Sequence, residues 1–441
     1  MKHRLTTIIK LGLPIMLAML SQSMINLADA ALVGPLGEAA LAAVGAGSYA
    51  NFVALSLLAG LSAGIQAQVA RRDGAGRTAE CIVPINHGLL LSVLFALPVS
   101  LLLASAAPWL LNLIYHSNTA SFTSDATAYF QIRVLSLPAA AMILSFRGFW
   151  NGAGQPRSFL YLLVITHISN VAISYLLIYG NFGLPALGVK GAALGTLISM
   201  YLCALLNFIK VKQQTKASGL LSQWGNLSSF KRLVQLIIPD SLQQTLFALG
   251  MMLLFAMVAK MGTSAMAVAH VLMNISLVLI LPGLGLGMAA NTLVSKSLGA
   301  HEPERAWQWG QETMYTASAS LLLLSLPLLL MPETVLALFL HNPALVQLGK
   351  IPLQLTGIGL ILDAPSLVFI QALLGAGANR VVLYIRFLLQ WLLLLPVCWL
   401  IGPELGLGLT AFWAVTTIQR LISSISFMAV WNARKWSRIS I

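Results

Sequence analysis

The sequence predicts an all-α polytopic membrane protein, with twelve transmembrane helices in two pseudo-symmetric six-helix bundles. Three observations predict it. Of the 441 residues, 58% are hydrophobic and 8% charged, whereas soluble domains carry about 25% charged residues. Apolar segments of about 20 residues or more recur along the chain, each enough to cross a hydrocarbon core of about 30 Å. The chain also repeats itself at a shift of 225 residues.

Spans are expected near 7–33, 45–70, 83–105, 125–150, 158–180 and 187–210. Six more are expected near 234–259, 264–294, 309–331, 350–374, 381–402 and 406–431. The basic MKHR start could open a cleaved leader, but the following run is too long and carries Asp29, so an uncleaved first span is expected. The net charge of +13 follows topology. Basic residues gather at the N-terminus (Lys2, Arg4, Lys10), the C-terminus (Arg434, Lys435, Arg438) and every second loop, including Arg71, Arg72, Arg77, Arg157, Lys210, Lys216 and Arg305. The alternate loops offer only Lys190, Lys260 and Lys350. This positive-inside pattern places both termini in the cytoplasm and argues against nucleic acid as a partner. Cys81, Cys203 and Cys398 are isolated and have neither disulfide nor metal spacing.

The repeat pairs Pro14 with Pro239, Val33 with Val258, Gly37 with Gly262, and Gly60-Leu61 with Gly285-Leu286. At a shift of 223, GAGQPRSFLY (152–161) lies over GAGANRVVLY (375–384). Corresponding helices cross the membrane in the same direction, so the halves are parallel repeats about an axis along the membrane normal. An N-lobe over 1–210, a cytoplasmic linker over 211–233 and a C-lobe over 234–441 follow. The acids break the symmetry. Asp29 maps onto Leu254, and Asp363 maps back onto Ala140.

Asp29 is the residue of greatest interest. An acid at the centre of a membrane helix costs about 2.5–3.5 kcal/mol on insertion scales and marks a functional site by default. Gln22, Asn26 and Asp29 share one helix face, which should look into a protein cavity. The fifth helix carries His167, Asn170 and Ser174 on one face; interhelical hydrogen bonding is the alternative role for them. Asn151 is a further cavity candidate. In the C-lobe, Asp363 with Gln243 and Gln244 forms a candidate second site. Asp240 after Pro239 reads as a helix N-terminal acid. Arg133, Arg386 and Arg420 read as snorkelling side chains, and Pro14 reads as a hinge or a fixed kink. No Walker motif, nucleophile constellation or metal spacing appears, which disfavours an enzyme or an ATP-driven pump.

Taken together, LGLPIMLAMLSQSMINLADAALVG, SAGIQAQVARRDGAGR, SNVAISYLLIYG and ILDAPSLVFIQALLGAGANR resemble the MATE (multidrug and toxic compound extrusion) family, nearest its DinF-like branch. The resemblance covers essentially the whole chain. It implies two six-helix bundles in a V shape and export of amphipathic, often cationic, drugs driven by H⁺ or Na⁺. On it, Asp29 matches the family's first-helix acid, Asn170 the asparagine beside it, and Asp363 the C-lobe acid of NorM-like members. Two departures stand out. The DinF-like fifth-helix aspartate is Ser174 here, and the NorM-like seventh-helix glutamate falls near Phe247.

The expected mechanism is antiport, with Asp29 protonation, aided by Asn170 and Ser174, bending the first helix near Pro14. H⁺ is favoured over Na⁺ because the N-lobe has one carboxylate, and no cofactor is expected beyond the coupling ion. Expected partners are small-molecule drugs or organic cations and membrane lipid, for a monomer in a bacterial inner membrane. The rivals are a lipid-linked precursor flippase of the same superfamily, a major facilitator transporter and a non-transporting scaffold. The flippase would need a cationic cavity.

Overall fold

The computed structural model describes residues 2–114, 120–214 and 219–439. Residues 215–218 of the expected linker, with Lys216, lie outside the described residues. Among the described residues, twelve long helical stretches follow one another: α1 (Lys2–Val33), α2 (Glu38–Gly74), α3 (Thr78–Asn112), α4 (Thr123–Val134 with Leu137–Gly152), α5 (Pro156–Tyr179) and α6 (Gly188–Gln214). Then come α7 (Leu227–Lys260), α8 (Thr263–Gly299), α9 (Pro303–Leu330), α10 (Pro343–Ala376), α11 (Asn379–Glu404) and α12 (Gly408–Asn432).

Among the described residues, ten are long and apolar enough to cross a membrane, and α4 makes an eleventh across a 46° bend. The bend has a chemical cause: Pro138 has no N–H to give the carbonyl of Val134, and at the bend the Ser136 hydroxyl donates to Arg133 O at 2.6 Å. The twelfth helix has 25 residues, long enough to span at about 1.5 Å per residue. Thr416, Thr417, Gln419, Arg420, Ser423 and Ser424 dilute its apolar character. Prolines open α5, α9 and α10 at positions where a helix has no N–H to lose.

The internal repeat is written in the backbone. Gly37 and Gly262, each just before a helix, take φ of 105° and 111°. Gly154 and Gly377, and Gly188 and Gly406, also share positive φ. At the fourth related pair, Gly76 has φ 73° and its counterpart is His301, at φ 60°. A side chain there occupies left-handed backbone that glycine adopts without steric cost.

The chain forms two compact units: Leu17–Ser241, and Met1–Met16 with Leu242–Ile441. In the first, the start of α7 packs on glycines of α2. A Cβ on Gly60 would lie 2.3 Å from the carbonyl oxygen of Ile237, and the Gly60 N–H donates to Ser241 Oγ at 3.1 Å. In the second unit, the start of α1 packs in the same way on α8, where a Cβ on Gly285 would lie 2.3 Å from Met16 Cγ. Ser241 and Met16 are again 225 residues apart. The connection before α7 belongs to the Leu17–Ser241 unit. Asn86 Nδ2 donates to Gly219 O and Gln223 O, and Asn86 Oδ1 accepts from Leu221 N–H. His87 Nε2 is 2.5 Å from Trp224 O.

Candidate functional site

Along α1, Ala18, Ile25 and Val33 are buried and mark the face turned to protein. Gln22, Asn26 and Asp29 fall on that same face by helical geometry. Met24 and Leu27, on the opposite side, are 71% and 73% exposed. Gln22 and Asn26 are nevertheless exposed and Asp29 half-buried.

The ends of α1 and α5 are tied together, because Tyr179 donates its hydroxyl to Leu32 O at 2.8 Å. Both helices reach this tie at their C-terminal ends. At about 1.5 Å per residue, Asp29 lies about 4.5 Å from the tie along α1, and Ser174 and Asn170 about 7.5 and 13.5 Å along α5. Asn170 and Ser174 are 3% and 1% exposed, while His167 is half-buried. Asn170 Oδ1, Ser174 Oγ and His167 Nε2 are each buried without a hydrogen-bond partner among the described residues. Ser174 is set against Gly195 of α6, where an added Cβ would lie 2.2 Å from its Oγ. No hydrogen bond joins Asp29 to Asn170 or Ser174 among the described residues. More than nine buried polar groups in ten normally find partners, so this row of open ones on α5 is unusual.

Arg133 corrects the snorkelling expectation. Its Nε and Nη1 are buried without hydrogen-bond partners, and its guanidinium lies 6.0 Å from the Tyr129 ring centroid. Tyr129 and Ile132, its neighbours on α4, pack with Leu32 and Val33 of α1 in one apolar cluster. One turn further in, Asp29 feels the positive charge of Arg133. The two are electrostatic neighbours but not an ion pair: no N···O contact within 4 Å joins them among the described residues. Asn151, by contrast, is buried at the other end of α4, far from this group.

The C-lobe candidates are arranged differently. Asp363 on α10 is ion-paired with Arg420 of α12, Oδ2 to Nη1 3.6 Å, and accepts a hydrogen bond from Ser366. Gly359 leaves room for the Arg420 stem. Arg420 therefore does not snorkel either. Arg386 lies over the Phe247 ring at 5.3 Å. Gln243 is buried and Gln244 half-buried, and neither is hydrogen-bonded to Asp363 among the described residues.

Asp240 is a further correction. The helix begins at Leu227, so Asp240 lies deep within α7, where no free N–H groups exist to receive it. It is buried, with the charge of Arg147 beside it. Pro14 likewise lies inside an unbroken helix, two residues before the chain passes from one compact unit to the other.

Comparison with known proteins adds to this geometry. The MatE family profile matches residues 14–176 and again 239–400, two matches whose starts are 225 residues apart. The chain is 24% identical to the probable multidrug resistance protein NorM of Thermotoga maritima, over 98% of this chain and 93% of that one. It is 28% identical to the multidrug resistance protein NorM of Burkholderia vietnamiensis, over 96% and 92%. A crystal structure of MATE in the bent conformation matches the fold with a TM-score of 0.88, at 21% identity over 98% and 95% of the two chains.

Proposed function

Because this chain belongs to the MatE family of membrane transporters, which are not enzymes, we propose that it is a secondary active multidrug exporter of a bacterial inner membrane. It exchanges amphipathic organic cations for H⁺, with both termini cytoplasmic, and acts as a monomer of two lobes (1–210 and 234–441). The observation that carries the reading is Asp29: a half-buried transmembrane carboxylate with no hydrogen bond or ion pair among the described residues, on a helix tied at its end to the one that carries the unpartnered row. A carboxylate so placed can hold a proton or lend its charge to a cation, but not both.

In this scheme deprotonated Asp29 attracts the cation. Protonation removes that attraction, lets the carboxyl group reach new partners such as Asn170, and favours bending of α1 at Pro14, where one backbone hydrogen bond is already missing. Exchange of one H⁺ for one monovalent cation moves no net charge, so the pH difference alone drives it. A neutral compound exported the same way gains about 2.3 kcal/mol per 100 mV, roughly fifty-fold in concentration. Na⁺ is the lesser candidate, since the N-lobe offers one carboxylate. The departure at Phe247 speaks against the NorM-like pattern and that at Ser174 against the DinF-like one. The flippase reading would need a strongly cationic cavity; Arg420 is neutralised by Asp363, and Asp29 offsets Arg133.

The test is transport of a fluorescent organic cation by the purified protein in liposomes. Uptake driven by an imposed pH gradient and not by an Na⁺ gradient supports the reading. Uptake driven by Na⁺ alone overturns the choice of ion, and no uptake under either gradient overturns export.

A further inference from the structure

Between the start of α9 and the end of α12, within one compact unit, lies a cavity of about 750 Å³. Trp307, Glu312, Met428 and Arg434 stand in its wall, and Gln311 Nε2 donates to Asn432 Oδ1 at 3.0 Å to join the two helices there. Arg434 is held over the Trp307 ring at 4.4 Å by an ion pair with Glu304, which engages Nη1 and Nη2. Arginine has further N–H donors, and these have no acceptor among the described residues. Opposite in charge, Glu312 gives Oε1 to Arg4 at 2.8 Å, while its Oε2 accepts no hydrogen bond among the described residues. The indole N–H of Trp307 is also buried without an acceptor, so the hydrogen bonding of the wall is incomplete.

The cavity lies at the membrane border. No charged residue follows Glu312 on α9 until Glu333, so Glu312 stands where the helix enters the hydrocarbon. Arg4, Lys435 and Arg438, with Trp307 and Trp309, accompany it, as basic and aromatic residues do at a headgroup level. From the cavity an exposed apolar stripe runs along each helix: Tyr315, Leu322 and Leu326 on α9, and Ile418, Leu421 and Ile425 on α12. Helical spacing puts the first stripe on the face of Gln311 and the second on the face of Met428 and Asn432. Acyl chains lying on these stripes bring their headgroup to the cavity.

We propose that this cavity seats the headgroup of a phospholipid that carries a primary ammonium, of the phosphatidylethanolamine class. Arg434 receives the phosphate and Glu312 Oε2 the ammonium, both through charge-assisted hydrogen bonds. Charge complementarity selects the class. A glycerol headgroup brings no cation to Glu312, and a choline headgroup brings a cation with no N–H for Oε2. The site stands apart from the transport scheme and needs neither Asp29 nor an ion gradient.

The experiment is native mass spectrometry of the full-length protein, purified in detergent, freed of lipid and titrated with dioleoyl phospholipids. The native chain is expected to bind the ethanolamine lipid about tenfold more tightly than the choline lipid, with the N-methyl and N,N-dimethyl forms between them. Phosphatidylglycerol binds no more tightly than the choline lipid. Glu312→Gln lowers ethanolamine-lipid affinity to the choline level and leaves choline-lipid affinity unchanged, whereas Arg434→Gln weakens both alike. Glycerophosphoethanolamine, which has the headgroup without the chains, displaces neither lipid. Equal affinity of the native chain for ethanolamine and choline lipids overturns the inference, and that comparison requires no variant. Tightest binding of phosphatidylglycerol, or a native ratio retained in Glu312→Gln, overturns it as well. Displacement by glycerophosphoethanolamine at the concentration of the lipid would make this a site for a free phosphate ester and would overturn the assignment to lipid.

Discussion

Asp363 and Arg420 hold α10 to α12 across the middle of the second bundle, with Oδ2 3.6 Å from Nη1. The pair sits among further ties between the same helices: Trp413 Nε1 donates to Thr356 Oγ1 at 2.9 Å, and Thr417 Oγ1 donates to Leu355 O at 3.2 Å. Removing one partner of a mostly buried ion pair strands the other, whereas removing both does not. Arg420→Met alone is therefore expected to lower stability by about 3 kcal/mol, and addition of Asp363→Leu to recover most of it. Unfolding of single and double variants in detergent measures this; additive losses would show that the two residues do not act as a pair.

Just beyond the pair, Ser424 repairs α10. Its hydroxyl donates to Leu362 O and accepts from Ser366 N–H at 3.3 Å. It thus stands inside the Leu362–Ser366 backbone hydrogen bond, next to Pro365. Ser424→Ala leaves both buried groups open and should cost about 1–2 kcal/mol. Faster hydrogen exchange confined to the α10 segment around Ser366 would identify the cause. Unchanged exchange there would exclude it.

Much of the fold was legible in the sequence. Hydropathy and loop charge gave the spans, and Pro14 with Pro239 and Gly37 with Gly262 gave the duplication, because prolines and left-handed glycines are local requirements. Asp29, Asn170 and His167 stand out in the sequence because polar groups are rare in apolar runs. The arginines do not. Arg133 and Arg420 look alike in sequence, and what separates them from snorkelling residues is Tyr129 on the one hand and Asp363, from another helix, on the other. Asp240 was misplaced because Leu227–Leu233 is too polar to read as a span, so the start of α7 was set too late. The Ser424 repair depends on the register of α12 on α10, which no local pattern encodes.

The duplication makes a prediction at His301. Its counterpart Gly76 has the same left-handed backbone without a side chain, and the His301 side chain is exposed. His301→Gly is expected to stabilise the protein by up to about 1 kcal/mol, read as a rise in melting temperature. A fall would mean that the imidazole makes a contact worth more than the strain.

Two glycines of α2 should respond oppositely to alanine. At Gly60 the new methyl would meet the Ile237 carbonyl at 2.3 Å, whereas at Gly45 nothing lies within 4 Å. Gly60→Ala should cost about 1–3 kcal/mol through a forced backbone shift. Gly45→Ala should gain about 0.5–1 kcal/mol of helix propensity. Thermal unfolding of the two variants side by side checks this, and equal effects would refute the packing of α7 on Gly60.

The central claim is that one carboxylate, Asp29, carries either a proton or the cargo. Calorimetry of cation binding in two buffers of different ionisation enthalpy counts the protons released per molecule bound. At a pH where Asp29 is largely protonated in the unloaded protein, the native chain should release close to one proton and Asp29→Asn none. Equal proton release by both, or none from the native protein at any pH where the cation binds, would contradict the account.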